Sequence, residues 1–138
     1  MIDAHVERLD LDSYRAKDKE GIGHRGAWPV YSEKGSGATA VTYFEIAPNE
    51  RIGSHTHDAE ETIYVMQGRG TATVGEGTGE FEAGTILFVP AGTRHDLHNE
   101  SDDVFRAVSF FPRATVVTIF DDVMEPDNTT RLGTPDAA

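Results

Sequence analysis

Three histidines and one glutamate carry the chemistry that this sequence can do. His55 and His57 stand two residues apart in His55-Thr56-His57, Glu61 follows after a short interval, and His95 lies well downstream. On a strand, the period of two sends His55 and His57 to the same face. Glu61 can rejoin them from the start of the next strand, whereas His95 has to be brought over by the fold. Three neutral imidazoles and one carboxylate form a donor set suited to Mn, Fe, Co, Ni, Cu or Zn, and a six-coordinate ion held this way keeps positions open for water, substrate or dioxygen. A bare His-x-His recurs by chance, and its bland reading is a hydrogen-bonded pair on a hairpin. The sequence has no cysteine, which excludes disulfides, thiolate ligands and cysteine nucleophiles.

The segments around these residues read as short strands. Ala40 to Ala47 is apolar and β-branched and closes at Pro48-Asn49. Glu61 to Gln67, Thr71 to Val74, Thr85 to Val89, Arg94 to Asn99, Val104 to Phe111 and Thr115 to Phe120 follow, separated by Gly68-Arg69-Gly70, the glycine-rich 75–79 and Pro90-Ala91-Gly92. Many short strands with Gly/Pro turns and no long helical pattern point to an all-β barrel or sandwich. Residues 3–20 read as an ordered arm or short edge strand. Gly21, Gly23 and Gly26 are expected to interrupt regular structure around His24, Arg25 and Trp28. The polar tail from Glu125 to Ala138 is expected to be a surface extension or partly disordered.

With these elements in place, two motifs stand out. His55-x-His57-x3-Glu61-x6-Gly68 resembles the first motif of the cupin superfamily. Gly84, Pro90, Gly92, His95 and Asn99 resemble the second without a gap. Asn49 stands where the first motif opens with glycine, and Thr85 where many relatives carry an acidic residue; Asn also tolerates left-handed backbone angles. The resemblance implies a cupin-type double-stranded β-helix, a jelly-roll barrel over 39–120, with an N-terminal arm and lead-in strand at 1–38 and a C-terminal extension at 121–138. It further implies that His55, His57, Glu61 and His95 are the ligands of one divalent transition metal, iron or manganese in preference to nickel, zinc, cobalt or copper. Gly68, Gly84, Gly92, Pro90 and Asn99 are expected to be structural.

Strand alternation extends the reading to the pocket. Ile63 and Val65 should face inward with Glu61, Leu97 and Asn99 with His95, and Tyr64 outward. Arg51 shares the parity of His55 and would reach the mouth unless it is a solvated turn residue. His98 should point away from the metal. One of Tyr43 and Phe44 should face inward, and Trp28 and His24 are read as core cover and loop residues, with closure of one end of the barrel as the alternative.

Composition narrows the partners. Acidic residues number 24 against 12 basic ones, a formal charge of −12, and a field of that sign repels nucleic acid and anionic membranes. With no basic-apolar leader at the start and no long apolar run, a cytoplasmic location is expected. The resemblance covers enzymes and binding modules alike, and fold does not choose among them. The expected function is a metal-dependent enzyme acting on a small organic substrate, an iron or manganese dioxygenase in which Glu61 also serves as a catalytic proton acceptor. A non-redox lyase or isomerase and a non-catalytic ligand-binding barrel are the alternatives. The resemblance also implies a homodimer, since small cupins commonly pair barrels and exchange N-terminal strands, for which the arm at 3–20 would serve; a sedimenting mass near that of one 15.1 kDa chain would contradict it.

Overall fold

The computed structural model describes residues 4–137; Met1 to Asp3 of the expected arm and Ala138 of the tail lie outside them. The strands are β1 (Asp12–Ala16), β2 (Gly23–Val30), β3 (Ala40–Ile46), β4 (His55–His57), β5 (Glu61–Gln67), β6 (Arg69–Val74), β7 (Gly77–Glu82), β8 (Ile86–Val89), β9 (His95–Asn99), β10 (Phe105–Phe111), β11 (Val117–Glu125) and β12 (Thr129–Gly133). They run in the order β7-β6-β9-β4-β11-β1-β2-β3-β10-β5-β8, with β12 paired to β11. The result is the all-β jelly-roll barrel that the motifs imply, antiparallel and nearly closed. Among the described residues no helix is long and apolar enough to cross a membrane.

The barrel forms because its strands alternate. In β5, Glu61, Ile63 and Val65 are buried while Tyr64 and Met66 are exposed; in β9, His95, Leu97 and Asn99 are buried; in β10, Phe105, Ala107, Ser109 and Phe111 are buried. The inward sets meet in one core. Phe105, fully buried, packs its ring against Phe44 at 5.6 Å and Phe81 at 5.2 Å, and burial of each such side chain contributes about 1.5–3 kcal/mol.

Three expectations are corrected. First, Gly23 and Gly26 do not interrupt structure, for they lie within the eight-residue strand β2. A Cβ at Gly23 would sit 2.8 Å from the Tyr14 carbonyl oxygen, and one at Gly26 would sit 3.1 Å from that of Tyr43. These glycines serve close approach of backbones inside a sheet. Second, the glycine-rich turn is shorter than 75–79: Val74 pairs with Gly77, and Gly77 and Gly79 belong to β7. Third, residues beyond 120 are not a loose extension. β11 continues to Glu125, β12 folds back onto it, and Thr134 is fully buried with its hydroxyl accepting from Val116 N–H at 3.0 Å. Polar composition hid this strand because Leu132 is its single apolar side chain packed against the core. The arm, in turn, places β1 between β11 and β2 of its own sheet.

Candidate metal centre

Register brings the motif residues together. His55 lies directly opposite His95 on β9 and opposite Phe120 on β11, while His57 faces Thr118. The second motif clasps the first, since Gly92 N–H donates to the His57 carbonyl at 2.8 Å. Glu61 arrives from the head of β5. His55, His57, Glu61 and His95 are all buried. One ring nitrogen of each histidine lies within 4.8 Å of the others, and Glu61 Oε1 sits 3.3 Å from Nε2 of His57 and 3.2 Å from Nε2 of His95.

The outer hydrogen bonds decide which nitrogens face inward. His55 Nδ1 is 2.6 Å from the Gly53 carbonyl and His95 Nδ1 is 2.9 Å from the Thr93 carbonyl. Carbonyl oxygens only accept, so both Nδ1 atoms carry the hydrogen, and in the neutral rings both Nε2 atoms are bare lone pairs. His57 Nδ1 is held by the Thr118 hydroxyl at 2.8 Å. Its Nε2 is buried without a hydrogen bond, although Glu61 is within ion-pair distance. A lone pair of His95 facing a carboxylate oxygen is repulsive unless a cation lies between them. These donors therefore fit a divalent metal, with the ring-orienting partners that metal-bound histidines need.

Electrostatics agrees. Burial, together with His95 and His57 alongside, holds the His55 imidazole well below its ordinary pKa, which keeps it neutral and able to ligate. Burial alone pushes the Glu61 carboxyl up, but the His57 and His95 rings beside it reverse that and leave it below the usual carboxylate range.

The cluster forms part of the wall of a cavity of about 490 Å3, a size that suits a small molecule. Ile63 and Leu97 line it, as alternation predicts, and Phe44 is the inward member of its pair. Tyr43 turns outward, with its hydroxyl to Glu45 and Arg106. Val65 and Asn99 are buried but do not border the cavity. Of the two readings of Arg51 the solvated one holds: it does not line the cavity but is half exposed, 3.6 Å from Asp96. The parity count fails there because Gly53, at φ 101°, breaks the extended chain before β4. Trp28 and His24, read as core cover and loop, both line the cavity. The sequence reading passed over Tyr14, Ile52, Phe111, Thr118 and Phe120, which also line it. Alternation of Thr118 and Phe120 was the available signal, but their facing depends on pairing with β4.

Comparison with known proteins sets this geometry among relatives. The family model for the cupin domain matches residues 42–111. An uncharacterized protein of Streptomyces coelicolor is 38% identical over 56 residues, 41% of this chain and 53% of that protein, so the match spans about half the relative's length. Oxalate decarboxylase of Bacillus subtilis superposes with a TM-score of 0.65 at 21% identity, covering 78% of this chain and 30% of that one. The polyketide cyclase RemF of Streptomyces resistomycificus gives a TM-score of 0.62 at 23% identity over 80% of each chain. At such identities the likeness concerns the fold. The family match, spanning half of the chain and both halves of the histidine cluster, shows that this protein belongs to the cupin family.

Proposed function

We propose that this protein is a metal-dependent cupin enzyme acting on a small organic substrate, with His55, His57, Glu61 and His95 as ligands and dioxygenase chemistry as its reaction. The observation that carries the reading is the convergence of three buried imidazoles, each tied back through Nδ1, with an ionised carboxylate at the wall of a largely apolar cavity. Iron or manganese held by these four residues would supply a Lewis-acidic, redox-capable centre for an oxygen-bearing substrate. The Mn(II) centres of the oxalate decarboxylase with a similar fold are in keeping with manganese. The chain's own part is positional and protolytic. Gly53, Thr93 and Thr118 fix the rings, Ile63, Leu97 and Phe120 exclude water, and Glu61 is placed to accept the proton of an enol or phenol as it binds.

The test is oxygen uptake by iron- or manganese-loaded protein across a panel of enols, phenols and diketones. Uptake that matches substrate loss and vanishes in the zinc-loaded form is expected. Turnover without oxygen uptake, or by zinc-loaded protein under anoxia, would overturn the redox chemistry in favour of a lyase or isomerase using the same ion as a Lewis acid.

A further inference from the structure

His24 lies outside the metal cluster and has no role in the reading above, yet it borders the same cavity. It sits on β2 opposite Tyr14 of β1. Its ring is stacked between Tyr14, at 5.2 Å and 23°, and Phe120, at 5.6 Å and 14°. Phe120 stacks in turn on His55, at 4.7 Å and 25°. Four near-parallel rings thus form a continuous wall from β1 to a ligand histidine, and Trp28 and Phe111, whose rings pack at 5.5 Å, also line the space.

A buried polar atom without a partner calls for an explanation. His24 Nδ1 is buried and has no hydrogen bond, which leaves Nε2 as the nitrogen with access. Burial lowers the pKa of His24 to about 4, so the ring is neutral at neutral pH. A neutral ring carries one hydrogen, and sealing an N–H without an acceptor is rarer in proteins than leaving an acceptor under-satisfied. The hydrogen therefore belongs on Nε2, where it can donate into the cavity.

We propose that His24 is a substrate-binding residue, donating from Nε2 to an oxygen of a flat aromatic or conjugated substrate that lies along the ring wall with a second oxygen toward the histidine cluster. The inference rests on the metal-enzyme reading for the second oxygen alone. The ring wall supplies aromatic contact that is edge-on, since the faces of His24 and Phe120 are covered by their stacked neighbours, and the His24 donor supplies selection for a molecule with oxygens at both ends. A buried donor rejects an analogue that lacks the matching oxygen more strongly than an apolar wall can.

Calorimetric titration of the metal-loaded protein with a naphthalenediol bearing one hydroxyl on each ring, and with naphthol, tests this. The wild type should prefer the diol by about fivefold or more, the worth of one hydrogen bond. His24→Phe, which keeps the stacking ring but not the donor, should abolish that preference while leaving metal content and naphthol affinity unchanged. His24→Gln, which keeps a donor, should restore part of it. A diol preference that survives His24→Phe, or no binding of either probe to the wild type, overturns the proposal. Because the readout is binding, its failure is distinct from failure of the function, which would show as absent metal or absent oxygen uptake. If His24→Phe fails to fold, His24→Leu, which also removes the donor, decides in its place: loss of the diol preference is expected, and a preference equal to that of the wild type overturns the proposal.

Discussion

His57→Ala is expected to lower bound divalent metal from about one ion per chain to near zero, measured by elemental analysis of protein purified without a metal-affinity tag. Changes to the partners of ligating histidines cost roughly 10- to 100-fold in metal affinity, so removal of a ligand should exceed that range. Two observations make His57 the sharpest probe. Its Nε2 is buried with no hydrogen bond, and its loss also strips Glu61 Oε1 of one of its two close nitrogens. Thr118→Val provides the graded control. It keeps the shape of a buried strand position but removes the hydroxyl held 2.8 Å from His57 Nδ1, so it should weaken binding within the range above without abolishing it. Equal metal content in His57→Ala and wild type would sink the ligand assignment.

The cluster of His55, His57, Glu61 and His95 was legible because two motifs fix both residue type and spacing, and strand periodicity carries the side chains to one face. The same logic read Ile63, Val65 and Leu97 correctly, since each lies on an unbroken strand with a ligand at its head. It failed at Arg51, where the positive φ of Gly53 resets the count. At Asn49, φ is 61°, so the motif's opening turn survives replacement of its glycine. The cavity's other walls were hidden for a different reason. The first half of β11 meets β4, and β1 meets β11, through pairings between residues distant in sequence, and periodicity within a segment carries no information on which partner it meets. Glycines compound this, because Gly23 in a sheet and Gly75 in a turn look alike as letters and differ only in what stands beside them.

Asn99→Leu is expected to destabilise the fold by about 3–5 kcal/mol, since each buried polar group left unpaired costs roughly 1–3 kcal/mol. Asn99 is fully buried, and its side-chain amide nitrogen donates to the carbonyls of Ile46 at 3.0 Å, Ala47 at 3.2 Å and Asp103 at 2.8 Å. Its Oδ1 accepts from the backbone N–H and the hydroxyl of Ser101, at 3.1 and 2.7 Å. Leucine nearly matches the volume and satisfies none of these groups. Asn99→Asp should fare no better, because a carboxylate cannot donate to three carbonyls and would bring a buried charge without a partner. Urea unfolding that shifts by less than about 1 kcal/mol in both variants would refute this account, given that whole domains are stable by only about 5–15 kcal/mol. The effect should reach the metal as well. The carbonyls held by Asn99 end β3, and the chain leaving them is pinned by Asn99 N–H to the Glu50 carbonyl, by Ile52 N–H to the Leu97 carbonyl and by Gly53 N–H to Asp96 before it delivers His55. Asn99 thus belongs to the second motif for what it holds in place, and any Asn99 variant that still folds should bind metal more weakly although the side chain does not border the cavity.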